Sequence, residues 1–271
     1  MVDAGAIPLT HVALAGLAAA WVLAVLVWAA SVWRRDVSLV DRFWSALIGS
    51  AALVYAALLP MPGSRGAWML ALLAAWGLRL AYYVTRRNWG HGEDRRYQEI
   101  RARNEPNFAF KSLYLIFTLQ AVIAWVVGAP FLVGMAAGTA LTAVDAAGIA
   151  VAAFGIVFEA VADSQMASFK ADQANKGQVM DRGVWRWSRH PNYFGECCIW
   201  WGFWLMALGA AGTGGVWTVI SPVIMTVLLL KVSGVALLEK DMAGRRPAYR
   251  DYIARTSAFI PMPPRQKATA R

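Results

Sequence analysis

The sequence predicts an all-α polytopic membrane protein with about seven transmembrane helices, its N-terminus outside and its C-terminus in the cytoplasm. Three observations lead there. Fifty-nine per cent of the 271 residues are hydrophobic and only 15% are charged, against about 25% charged in an ordinary soluble domain. The apolar residues gather into runs long enough to cross about 30 Å of hydrocarbon as helices, which takes about 20 residues. The connecting segments alternate between strongly basic and almost uncharged.

The runs fall at roughly 9–31, 43–61, 66–84, 112–137, 145–162, 194–212 and 215–237. They are continuous, whereas barrel strands would alternate over about 10 residues. The first lacks a basic leader and is too long for the core of a signal peptide, so it reads as a retained helix. Pro60-Met61-Pro62-Gly63 separates the second and third runs, and Gly212-Thr213-Gly214-Gly215 the last two. Residues 1–271 read as a single membrane-embedded domain, without an internal repeat that would suggest a transporter.

Charge orients the helices. Segments 32–42, 85–111, 163–193 and 238–271 hold 23 of the 26 Lys and Arg, and the alternate connections hold only Arg65. That is the positive-inside pattern for an inner membrane. It also removes the nucleic-acid reading that a net charge of +10 would otherwise invite. Two of the basic loops, 85–111 and 163–193, are longer than a connection needs. With the tail 238–271 they are expected to form a cytoplasmic cap that binds something polar and anionic. Cys197 and Cys198 are adjacent, and His11, His91 and His190 are scattered, so no disulfide framework and no metal site is expected.

Ionisable residues inside or at the ends of spans are costly and mark function. They are Arg79, Glu159, Asp163, Glu196, Lys231 and Glu239. The most informative short segment is Arg189-His190-Pro191-Asn192-Tyr193-Phe194-Gly195-Glu196. His190 precedes a proline and is pushed out of the helical region. Pro191 suits a first helical turn. Asn192 and Glu196 then share one face, close to a helix N-terminus that favours anions.

This block, with GVWRWSRHPNYFGECCIWWGFWL around it at 183–205, resembles the steroid 5α-reductase superfamily, closest to its bacterial homologues. The segments DVSLVDRFW (36–44), WGLRLAYYVTRRNWGHGEDRRY (76–97), FEAVADSQMASFK (158–170) and YRDYIARTSAFIP (249–261) agree with it. The same superfamily holds sterol C14 and C24(28) reductases and the isoprenylcysteine and phospholipid methyltransferases. The resemblance implies an NADPH-dependent oxidoreductase of the membrane. It would reduce the carbon–carbon double bond of a lipophilic enone, such as a 3-oxo-4-ene steroid, by hydride transfer to the β-carbon. The alternative is an S-adenosylmethionine-dependent membrane methyltransferase. Asn192 and Glu196 match cofactor-holding residues of the reductases and favour the first reading.

Carried over by position, the resemblance assigns NADPH to Arg79, Tyr83, Asn88, Asp163, Lys170 and Lys231, and to Arg189, His190, Asn192, Tyr193 and Glu196 of the block. Lys170 and Lys231 stand where mammalian relatives have Arg, keeping the charge but not the bidentate fork. Charge adds Arg95, Arg96 and Tyr97 as partners for the 2′-phosphate. The family's catalytic Glu corresponds to Asp41, one methylene shorter. Its catalytic Tyr corresponds to Trp76, so Tyr82 or Tyr55 is expected to supply the phenol, with Asp41 the other candidate donor. The substrate would enter from the bilayer. A few of the 14 Trp would line its pocket, most of the others serving as interfacial anchors.

Overall fold

A computed structural model describes residues 7–60, 63–232 and 247–265. It is an all-α integral membrane protein, with six helical stretches long and apolar enough to span a bilayer. In chain order the elements are α1 (Leu9–Arg34), α2 (Leu39–Leu58), α3 (Gly63–Arg87), α4 (Arg95–Asn104), α5 (Phe108–Ala136), α6 (Ala143–Ala171), α7 (Pro191–Ala211), α8 (Ile220–Val227) and α9 (Pro247–Arg255). Ser188 and Ser257 form one isolated parallel β-bridge. Glu239 lies outside the described residues.

Seven spans were expected, and the difference is at the end. The stretch Pro191–Lys231 is helical throughout, because the glycine-rich break winds into a 3₁₀-helix, Gly212–Val219, instead of a loop. The chain still reverses there. Gly212 takes a left-handed φ of 54°, which glycine adopts without a Cβ clash. The Trp204 indole then donates to the Val216 carbonyl at 3.4 Å, and a Cβ on Gly215 would sit 2.4 Å from the Ala207 oxygen. Two predicted spans are thus the arms of one folded-back stretch. α8 continues as a π-helix, Leu228–Val232.

Helix ends also differ from the reading of apolar runs. α6 continues through Asp163 and Lys170 to Ala171, so the first third of the predicted 163–193 loop is helix. The 85–111 loop contains α4. Hydropathy ends a span at its first charges, whereas backbone hydrogen bonding carries the helix on until a capping turn.

The chain divides into two compact units. The first comprises residues 1–149 and 203–221, the second 150–202 and 222–271. In the first, α1 packs along α2, α2 along α3, and α5 against α1 and α2. Trp21 donates to the Thr118 hydroxyl at 3.2 Å and Trp28 to the Ala109 carbonyl at 2.8 Å, tying α1 to α5. Its most polar buried contact is Arg65 with Asp145, both fully buried. Arg65 Nε and Nη2 reach the two carboxylate oxygens at 2.6 and 2.9 Å. The remaining guanidinium hydrogens go to the carbonyls of Ala137, Thr139 and Ala140 and to the Thr139 hydroxyl. Thr142 donates to Asp145 through its backbone N–H and its hydroxyl. Every charge in this pair is met, which a buried ion pair requires.

In the second unit, α6 and α7 cross at glycine. A Cβ on Gly155 would lie 2.5 Å from the Gly195 oxygen, and one on Gly195 would lie 2.8 Å from the Gly155 oxygen. The segment from α9 to residue 262 then straps over the turn 185–190. Arg189 N–H donates to the Ser257 carbonyl and Met262 N–H to that of Trp187, both at 2.9 Å, and the Ser188 hydroxyl donates to the Phe259 carbonyl at 2.8 Å.

Candidate functional site

The first unit gathers a polar cluster where α2 begins. Arg35 ends α1 in the left-handed conformation, and Asp36 accepts from the Ser38 N–H and hydroxyl, closing a tight turn. Glu93, from the α3–α4 connection, accepts the Val37 N–H at 2.9 Å and pairs with Arg101 at 2.8 and 2.9 Å. Asp94 caps α4 by accepting the Arg96 N–H at 2.9 Å, a common helix-start arrangement. Burial pushes the Asp94 carboxyl up, but hydrogen bonds and charge from Arg96 outweigh it and hold the carboxyl below its ordinary range.

These turns bring α4 onto the first turn of α2. Tyr97 donates to Asp41 Oδ1 at 2.7 Å and Arg96 Nη2 to Oδ2 at 3.0 Å. Gln120 of α5 donates to the Tyr97 hydroxyl at 3.4 Å. Tyr97 is only 7% exposed, and the Asp41 side chain is 22% exposed. Burial, then the charge of Asp41, push the Tyr97 phenol well above its ordinary range. A protonated phenol held against a carboxylate can deliver a hydrogen bond or a proton to an incoming oxygen.

Tyr55 and Tyr82 are the tyrosines expected to supply the phenol. Tyr55 lies fourteen residues along α2 from Asp41, about 21 Å at 1.5 Å per residue. It is buried against Gly16, where a Cβ would meet its ring at 2.3 Å. Tyr82 is 65% exposed and receives a hydrogen bond from Arg86 at 3.3 Å. Tyr97, expected at the 2′-phosphate, bonds to Asp41. Trp76 is wholly buried.

Arg96 is likewise committed to Asp94 and Asp41. Arg95 is exposed and meets Glu99 at 3.2 Å. Arg79 and Tyr83 are half-buried on α3, the Tyr83 ring lying 5.8 Å from the Arg87 guanidinium. Asn88 accepts from Arg87 at 3.1 Å through its side chain.

The second unit holds the other predicted residues. Pro191 opens α7, and Asn192 Nδ2 donates to Asp163 Oδ1 of α6 at 3.3 Å. Glu196, buried, accepts the Trp200 indole N–H at 2.9 Å. The His190 ring stacks on Tyr193 with centroids 5.5 Å apart. Glu159 and Asp163 are both buried on α6. Lys170 and Lys231 are exposed. Arg189, expected at the cofactor, also bonds to the C-terminal segment. Its guanidinium donates to the Thr256 carbonyl at 2.6 Å and to Ile253 at 3.2 Å, holding the C-terminal strap.

Sequence reasoning passed over Gln120, Glu93, Asp94 and the Arg65–Asp145 pair. Gln120 had a signal, a primary amide within an apolar run. Asp94 had another, an N-cap residue ahead of a charged helix. No group of three His, Cys, Asp or Glu among the described residues could hold a metal ion.

Comparison with known proteins places the chain in a family. It is 27% identical to a protein of Schizosaccharomyces pombe (strain 972 / ATCC 24843) described as "Uncharacterized protein C594.04c", over 91% of this chain and 78% of that protein. No solved structure matches. Residues 27–256 match the family described as "Protein of unknown function (DUF1295)", and since the match spans most of the sequence, the chain belongs to this family.

Proposed function

We propose that this protein is an NADPH-dependent membrane reductase of the steroid 5α-reductase type, acting on the carbon–carbon double bond of a lipophilic enone. The observation that carries the reading is the Asp41–Tyr97 pair, a protonated phenol fixed by a carboxylate at the end of a span. Reduction of an enone needs a proton donor at the carbonyl oxygen. Methyl transfer from S-adenosylmethionine needs instead a nucleophile relieved of its proton, which a phenol of raised pKa does not assist. The pair therefore favours the reductase over the methyltransferase. The distribution of Lys and Arg supports a cytoplasmic position for this end of α2 and for the cofactor-binding residues.

The donor set suits a phosphate-bearing dinucleotide. In the first unit Arg95 is an exposed cation and Arg79, Tyr83 and Asn88 offer hydrogen-bonding groups, and in the second Lys170 and Lys231 are exposed cations and Asn192 and Asp163 offer hydrogen-bonding groups. NADPH, which the resemblance implies, would supply a hydride from its nicotinamide to the enone β-carbon. Tyr97 turns its O–H from Asp41 to the enone oxygen and stabilises the negative charge that grows there. Asp41, itself held by Arg96, keeps the phenol in place. Transfer of the Tyr97 proton to the enolate and tautomerisation complete the saturated ketone, and a proton from water restores the phenol. A 3-oxo-4-ene steroid fits this chemistry and would come from the lipid.

Thermal shift of the detergent-purified protein with NADPH, NADH and S-adenosylmethionine tests the reading, because a ligand of the folded state raises its stability by mass action. Stabilisation by NADPH and not by S-adenosylmethionine is expected. Stabilisation by S-adenosylmethionine alone would move the protein to the methyltransferases.

A further inference from the structure

The reductase reading makes no use of Gln120, a polar side chain of α5. Gln120 lies in the long apolar stretch Phe108–Ala136, is half-buried, and donates through Nε2 to the Tyr97 hydroxyl at 3.4 Å. The backbone just before it winds as a π-helix over Leu113–Thr118. A π-turn accommodates one extra residue. It rotates the downstream part of the helix by roughly 100° relative to an unbroken α-helix, and such turns recur at functional sites. Here the turn determines which face of α5 carries Gln120.

The Tyr97 hydroxyl has one hydrogen to give and two lone pairs. The hydrogen goes to Asp41. Once it is given to a substrate oxygen instead, negative charge appears on the phenol oxygen beside a carboxylate, in a buried place. Arg96 bonds the other oxygen of Asp41 and lies over the Tyr97 ring, 5.7 Å from its centre. The amide hydrogens of Gln120 meet the phenol oxygen itself. Catalytic hydrogen bonds are commonly long before the reacting charge forms and tighten with it.

We propose that Gln120 is a positioning residue that acts through Tyr97, holding the phenol oxygen and stabilising the charge left on it when its proton is transferred. The inference rests on the reductase reading for the direction in which the proton moves. Burial and the Asp41 charge raise the Tyr97 phenol, and the Gln120 donor pulls against them.

The test replaces Tyr97 with a fluorinated tyrosine of lowered intrinsic pKa and follows its titration by fluorine NMR in the full-length protein. The backgrounds are Gln120, Gln120→Met and Gln120→Glu. Methionine removes the donor, and a glutamate carboxylate places a like charge there. The titration midpoint should rise by about one unit in Gln120→Met, as expected for loss of a hydrogen bond to a charged group, and further in Gln120→Glu. With native Tyr97, kcat on an enone should fall about tenfold in Gln120→Met while KM for NADPH stays constant. Unmoved midpoints overturn the proposal, as does a moved midpoint with unchanged kcat. Midpoints that move in a protein that reduces no enone would leave the Gln120–Tyr97 coupling standing and refute the reductase reading alone.

Discussion

Tyr97 hands its phenolic hydrogen to Asp41 at 2.7 Å, across 56 residues of sequence. Three local features bring this about. Asp94 starts α4, Glu93 ties the α3–α4 connection to Val37, and Asp36 closes the turn into α2. If the pair delivers the proton, Asp41→Asn and Tyr97→Phe should each lower enone turnover by about 10²-fold or more, the usual range for a lost acid–base group. Affinity for NADPH should hardly change. The double variant should lose little beyond either single one, since the two act as a unit. Steady-state kinetics with NADPH binding measured in parallel checks this.

The Tyr97 pKa gives a dependence with a definite sign. Its folded-state value is raised, so above about pH 10 the unfolded chain releases this proton while the folded chain keeps it. Stability falls with pH wherever the folded state binds more protons. The contribution is therefore intact below about pH 10 and lost as pH rises above it. Denaturation midpoints in detergent should decline over that alkaline range, and less steeply in Tyr97→Phe.

Arg189 should behave as a structural residue. Arg189→Ala leaves the Ile253 and Thr256 carbonyls short of a donor, a cost of about 1–3 kcal/mol. A lower melting temperature and faster proteolysis within residues 247–265 are expected. Saturation with NADPH should still be reached in the variant.

The buried Arg65–Asp145 pair sets a larger effect. Asp145→Ala strands a guanidinium that is 1% exposed, which typically costs about 3–5 kcal/mol. The double variant Arg65→Met with Asp145→Leu should recover part of that loss, because neither charge then remains buried. Thermal denaturation of the three proteins decides it.

The spans were legible because a helix that crosses lipid needs a long apolar run. Their ends were not. Asp163 and Lys170 ended a run by hydropathy but sit within the last turns of α6. The Gly212–Gly215 break was correctly placed, yet its backbone remained helical as a 3₁₀ turn. In the site, Asp41 was named for its correspondence to the family's carboxylate, Asn192 for the block at 189–196 and Asp163 for the segment 158–170. The tyrosine that reaches Asp41 depends on a reversal at 88–94 that no periodicity reports. Arg189 was assigned by its motif, and its capture by the C-terminal strap is a contact over more than sixty residues.

The central claim is hydride transfer to an enone, and the most direct measurement uses NADPH carrying deuterium at the transferring position of its nicotinamide. Membranes or purified protein would be incubated with a panel of 3-oxo-4-ene steroids and simpler enones, and the products examined by mass spectrometry and NMR. The account predicts a saturated ketone with one deuterium at the former β-carbon, formed by the wild type and nearly absent with Tyr97→Phe. Absence of any saturated product across the panel, alongside a methylated product when S-adenosylmethionine is supplied, would contradict it.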